Sequence, residues 1–269
     1  MRRIVFKIAE LFALTMSTIA CGQNKNIPES LLGIKERVAQ LDSAVNAMYG
    51  WEPRDSTYDA SIYKESRVTW AEFKRLCDQE KYEESLEYYL ADKPNGGGSN
   101  LGDFLVFLQH STYRFYFFSQ VLLPLMSEYK GAEFARKKYI DLLQLEKAME
   151  DTTIDLQADG NGYVPEVYPH LIHDLGLALT ADGKLDEALD LADDLMKIVN
   201  QISGEVLYAN FIGTQYAALL YIYLDDKENA VGTWEDFKQF LVDTKDDYDP
   251  ETLAELQTRI QKEIDSIQQ

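Results

Sequence analysis

The stretch Leu175-Gly176-Leu177-Ala178-Leu179-Thr180-Ala181-Asp182-Gly183-Lys184-Leu185-Asp186-Glu187-Ala188-Leu189-Asp190-Leu191-Ala192 decides the fold class. An apolar series with small residues stops at Asp182-Gly183 and resumes behind two acids. Glycine accepts the left-handed conformation that ends a helix, and acids are favoured where a new helix exposes its first amides. Ala188 and Ala192 lie four residues apart, so small side chains share one face of the second helix and set a short packing distance. The stretch therefore predicts two antiparallel helices joined by a tight turn.

Two other stretches follow the same pattern. One is Glu80-Lys81-Tyr82-Glu83-Glu84-Ser85-Leu86-Glu87-Tyr88-Tyr89; the other is Tyr216-Ala217-Ala218 leading into Asp225-Asp226-Lys227-Glu228-Asn229-Ala230 and Trp234. Together the three resemble tetratricopeptide repeats, most specifically around residues 173–195. The turns at 183 and 225 are 42 residues apart, against about 34 in that family, so the repeats are lengthened. The resemblance implies an α-solenoid that binds a protein or peptide on one face. Another helical bundle is the alternative architecture.

Helical spacing continues outward from these units. Leu31, Ile34, Val38, Leu41, Val45 and Met48 step by three and four, which makes one apolar seam. Further helices are predicted over 67–79, 82–91, 101–127, 131–150, 167–181, 185–201, 204–224, 227–243 and 250–267. Breaks fall at Trp51–Asp59 with its Pro53, at Pro94–Asn100, at Asp159–Gly162 and at Lys245–Asp249. Asp249-Pro250 suits an N-cap followed by proline at the first helical position. Leu253, Leu256, Ile260, Ile264 and Ile267 give the last helix one apolar face, fit for a terminal cap. Leu101–Met126 contains Asp103, Gln109, His110 and Arg114, so it reads as a buried central helix and not as a membrane span. The expected fold is all-α, about ten helices in stacked antiparallel pairs.

The N-terminal residues carry an address. Arg2, Arg3 and Lys7 precede the apolar run Leu11–Ala20, which at ten residues is about 15 Å of helix, half a hydrocarbon core. Thr18-Ile19-Ala20-Cys21 resembles the lipobox of bacterial lipoproteins, although Thr18 stands where leucine is usual and Glu10 interrupts the apolar run. The resemblance implies cleavage before Cys21 and a lipid on its sulfur. The expected organisation is a signal peptide over 1–20, a polar tether over 21–28 and one helical domain over 29–269. No acidic run follows Cys21, which favours an outer-membrane lipoprotein facing the periplasm. Ordinary secretion after Ala20 is the first alternative, and an uncleaved helix the second. With Cys21 lipidated, Cys77 has no disulfide partner.

Composition excludes several classes. The chain has 269 residues, of which 46% are hydrophobic and 27% charged, too apolar for disorder and too interrupted by charge for a polytopic membrane protein. Its net charge is −20, which repels nucleic-acid phosphates. No nucleic-acid partner and no cofactor are expected.

Three constellations merit chemical reading. Asp155, Asp159, Asn161 and Glu166 resemble positions one, five, seven and twelve of an EF-hand calcium loop. Gln157, Gly162 and Pro165 depart from that pattern, and a plain Asp-Gly-Asn-Gly turn is the simpler account. Glu166, His170 and His173 share a helical face at metal-ligand spacing, without a second ligand set. Tyr113-Arg114-Phe115-Tyr116-Phe117-Phe118 surrounds a helix with aromatics, either core or a Tyr-lined groove. Phosphate loops and serine-nucleophile motifs are missing from the sequence. The expected function is non-enzymatic: an envelope lipoprotein whose stack binds another envelope protein or peptide. A small-ligand or glycan-binding accessory lipoprotein using a Tyr-rich pocket ranks second, and a hydrolase third.

Overall fold

Eleven helices and no β-strand make up the described residues, which in this computed structural model are 27–49, 60–93, 99–156 and 162–269. The chain divides between Leu32 and Gly33. In the first part the described residues form one 3-10 turn, Glu29–Leu31. The second part, Gly33–Gln269, holds every helix. These are α1 Ile34–Tyr49, α2 Ala60–Asp78, α3 Tyr82–Leu90 and α4 Asn100–Phe107. Next is α5, which runs as Ser111–Phe117, a π-helical turn Phe118–Leu122, and Leu123–Lys130. Then come α6 Ala132–Asp151, α7 Tyr168–Ala181, α8 Leu185–Ser203, α9 Val206–Tyr223, α10 Lys227–Asp243 and α11 Pro250–Gln268.

From α6 onward each helix packs on the one before it, and α7 also touches α9. The three stretches singled out by sequence end their first helices in one and the same motif. Glu80, Gly183 and Asp225 have φ of 58°, 80° and 58°. The next amide in each turn, Lys81, Lys184 and Asp226, donates across the turn to Leu76, Leu179 and Tyr221 carbonyls at 2.9 Å. This is a left-handed cap that satisfies carbonyls the helix end would leave bare. Five residues beyond each cap, Ser85, Ala188 and Ala230 are fully buried, the small side chains that admit a close neighbour.

The α7–α9 contact depends on a missing side chain. Gly176 has no Cβ, and the Tyr216 hydroxyl occupies that space, donating to the Ile172 carbonyl at 3.0 Å. That carbonyl is the one a helical ladder pairs with the Gly176 amide.

Two boundaries differ from the sequence expectation. The helix predicted from 67 begins at Ala60; Ser66, a poor helix former, turns its hydroxyl back to the Ile62 carbonyl at 2.8 Å, and Thr69 donates to the Asp103 carboxylate at 2.6 Å. The single helix predicted over 101–127 is two, parted at Leu108–His110. Arg114 holds the break. Its guanidinium donates to the Leu108 and Gln109 carbonyls at 3.2 and 2.6 Å, and to Glu146 through two bonds of 2.7 Å. A further contact of 3.3 Å reaches Glu150. All five guanidinium hydrogens are thereby used. Further along α5, Pro124 has no amide for the Gln120 carbonyl; Arg37 of α1 donates to that oxygen instead, at 3.0 Å.

Two cores result. Trp70, Phe73, Tyr89, Phe104, Phe107 and Phe117 form an aromatic cluster with centroids 5.1 to 6.0 Å apart across most of its pairs. Phe211, Trp234, Phe237, Ile260 and Ile264 anchor the C-terminal one. There α11 buries Ile260, Ile264 and Ile267, with Leu253 and Leu256 half-buried beside them.

Candidate functional site

No residue of α9 from Val206 to Tyr223 is charged. Flanked by α8 and α10, it forms the floor of an open groove of about 470 Å³. Gly213, Thr214 and Ala217 are the floor, Met196 of α8 and Phe237 and Phe240 of α10 the apolar walls. Asp190, Asp193 and Asp236 are exposed at the rims. Among the described residues no Lys, Arg or His lines it. Gly213 sets its depth: a Cβ there would stand 3.1 to 3.4 Å from the Met196 side chain, tighter than packed helices normally allow. Toward its C-terminal end α9 leaves Leu219, Ile222 and Tyr223 exposed, Tyr223 by 54%.

The charge that surrounds this groove is not spread evenly. Residues 152–269 hold 7 Lys and Arg against 24 Asp and Glu, a net of −17, whereas residues 27–151 hold 15 against 21. A field of one sign over a concave apolar surface concentrates cationic partners there.

A second groove, about 710 Å³, lies between α1 and α2 and is closed at its base by Trp70 and Phe107. Asp42 organises that base. One carboxylate oxygen accepts from Trp70 Nε1 at 2.9 Å and from Asn46 Nδ2 at 3.1 Å, and the other pairs with Lys74 at 3.0 Å. Lys64, Arg67 and Arg75 line it from α2, with the Arg75 guanidinium paired to the Glu72 carboxylate through bonds of 2.7 and 2.6 Å.

The residues singled out by sequence are scattered. Cys21, Asp159 and Asn161 lie outside the described residues. Asp155 and Glu166 are both exposed, and Asp155 pairs with Tyr163 through two backbone hydrogen bonds of 3.0 and 2.6 Å. His170 is exposed; His173 is half-buried, 3.4 Å from Asp174 and edge-on to the Tyr216 ring. Among the described residues no three His, Cys, Asp or Glu side chains gather as metal ligands, so Glu166, His170 and His173 do not converge. Of the aromatic run, Phe115, Phe117 and Phe118 are buried, and Tyr113 and Tyr116 half-buried. Cys77 is fully buried, and that burial pushes its thiol up to about 12.

Sequence reading missed the Arg114–Glu146–Glu150 cluster, although an arginine inside five aromatics is itself a signal, since a buried cation requires a partner. Glu146 is fully buried, and loss of solvent raises its carboxyl above the ordinary value despite the Arg114 guanidinium, which pulls the other way. With every guanidinium hydrogen committed, this cluster holds structure together and offers no donor to a ligand. No protein family, characterised protein or solved structure matches this chain.

Proposed function

We propose that this chain is a bacterial envelope lipoprotein, held at the outer membrane facing the periplasm by a lipid on Cys21, whose tetratricopeptide-like stack binds a protein or peptide partner. The role is one of binding, not catalysis. The observation that carries it is the α8–α10 groove: an uncharged floor, apolar walls and three unopposed rim carboxylates, open to solvent. Apolar surface rimmed by polar groups is a common form of protein-docking site. The bare end of α9 at Leu219, Ile222 and Tyr223 extends the apolar surface available to a partner. The repeated left-handed caps at Glu80, Gly183 and Asp225 support the tetratricopeptide-like reading, and Thr18-Ile19-Ala20-Cys21 supports the anchor.

Affinity capture from membrane extracts tests it, comparing wild type with the double substitution Asp190→Lys/Asp236→Lys. A stoichiometric partner is expected with wild type and lost with the variant, while both proteins keep the same melting temperature. Equal capture by both would remove the groove from the reading. A thermal shift with sugars, and no protein captured, would replace it with glycan binding. Replacing Cys21 with Ser should move the protein out of the membrane fraction; retention there would refute the anchor.

A further inference from the structure

The acids that line the α8–α10 groove are the ones their own helices leave unpaired. Asp194 and Glu235, next in sequence to two of them, are held by Lys197 at 3.4 Å and Lys238 at 3.6 Å. Asp190, Asp193 and Asp236 make no hydrogen bond or ion pair with any described residue. We infer that the occupant of this groove is a basic amphipathic helix of a partner protein, with apolar residues at i, i+3 or i+4 and i+7 flanked on both sides by Lys or Arg. The inference rests on the reading of this groove as a docking surface and names what docks there.

Three features select that occupant. First, the available charge has one sign and stands on both rims: Asp190 and Asp193 on α8, Asp236 on α10. A cationic partner is drawn from either side. A second copy of this chain brings a net −20 of its own, and an anionic lipid surface is repelled in the same way.

Second, each rim sets its acid one turn from an apolar residue on the same helix. Asp193 lies so placed beside Leu189 and Met196, and Asp236 beside Phe240. The groove therefore calls for apolar side chains in the middle and cations leaving to both sides. A helix turns about 100° per residue and supplies all three directions at once, whereas an extended chain offers only two opposed faces. Phe240 is half-buried and stacks on Phe237 at 5.9 Å. A cation drawn to Asp236 comes within reach of that ring, which adds a cation–π attraction.

Third, the dimensions agree. The lining covers 189–196 of α8, 210–217 of α9 and 233–240 of α10, two turns of each helix or about 11 Å. An apolar stripe from i to i+7 has the same length. Gly213 and Ala217 on the uncharged floor are small, as a close helix neighbour requires. A free polyamine would satisfy the carboxylates but leave Met196 and Phe240 uncovered.

The test uses full-length protein in a neutral detergent and a fluorescein-labelled helical Lys–Leu peptide with Leu at i, i+3, i+4 and i+7. Matching Gln–Leu and Glu–Leu peptides, and a strictly alternating Lys–Leu permutation, are the controls. Fluorescence anisotropy should show the helical Lys peptide bound most tightly, weakening as salt is raised. Asp190→Lys/Asp236→Lys should weaken it about tenfold or more, since two exposed charges are reversed, and should bind the Glu peptide better than wild type does. Binding to detergent micelles is common to both proteins, and loss of fold cannot produce that gain. Asp236→Asn, at an exposed position, is a milder second variant with a smaller loss, and melting temperature reports whether each variant is folded. Equal binding of the Lys and Gln peptides, equal binding of the Lys peptide by wild type and a folded double variant, or no binding would overturn the inference. Equal binding of the alternating permutation would exclude a helix. Spermine that binds wild type while the peptide does not would replace the helix with a small polyamine. Wild type that captures a partner from membrane extracts yet ignores the Lys peptide would sink the basic helix alone and leave the binding role standing.

Discussion

One methyl group at Gly176 tests how α7 packs on α9. A Cβ built there stands 1.7 Å from the Tyr216 hydroxyl oxygen, 2.8 Å from Cζ and 3.4 Å from a Leu220 methyl. Tyr216 is buried and cannot swing into solvent without leaving the core. Gly176→Ala must therefore displace it and break its bond to the Ile172 carbonyl. Overpacking of this kind costs about 1–3 kcal/mol, and the lost hydrogen bond about 1 kcal/mol. Replacing a mid-helix glycine by alanine returns about 1 kcal/mol. The net expectation is a loss of about 1–3 kcal/mol. Gly232 is the control: it lies inside α10 with open space around its Cβ position, so Gly232→Ala should gain roughly 0.5–1 kcal/mol. Urea unfolding followed by far-ultraviolet circular dichroism measures both, provided the m-values agree. In a Tyr216→Leu background the clash is gone and Gly176→Ala should become neutral or stabilising. If Gly176→Ala raises the midpoint as much as Gly232→Ala in the wild-type protein, the packing described for α7 and α9 is wrong.

Two further substitutions probe the buried charge and the helix caps. Glu146 has its carboxyl raised by burial, so between the ordinary carboxylate value and the raised one the folded chain holds more protons than the unfolded chain; its contribution to stability falls as pH rises through that window. Glu146→Gln should flatten that part of the stability–pH curve, whatever it does to absolute stability, and an unchanged slope in urea titrations would exclude the effect. Glu80 has a left-handed backbone at φ 58°, which costs a side-chain-bearing residue about 1–2 kcal/mol, so Glu80→Gly should raise the urea midpoint by an amount worth about 1 kcal/mol; a drop would mean the cap is not strained.

The helices were legible because their cause is local. Spacing of apolar residues marked α1 and α6 through α11, and Asp249-Pro250 marked the start of α11, where the Asp249 carboxylate accepts from the Thr252 amide at 2.8 Å. The break at Leu108–His110 was not legible, because its cause is a guanidinium paired with a carboxylate thirty-two residues away. Gly183 announced its cap, but Glu80 did not, since glutamate rarely takes a left-handed backbone, and Asp225 did so only weakly, since aspartate takes one more often than most residues but far less often than glycine. The grooves escaped for a similar reason. Asp190, Thr214 and Asp236 belong to three helices and become one surface only after packing. The four basic residues of α2 were hidden inside a strongly negative total, which averages over the chain and says nothing of where charge resides.

The uneven charge has a consequence for any surface the protein meets. If a lipid on Cys21 does hold the chain beside an anionic surface, the excess of negative charge lies in residues 152–269, far from the anchor in sequence. Bringing those residues within the screening length, about 8 Å at physiological ionic strength, would raise the energy. That repulsion needs no partner, and it would fade as salt rises.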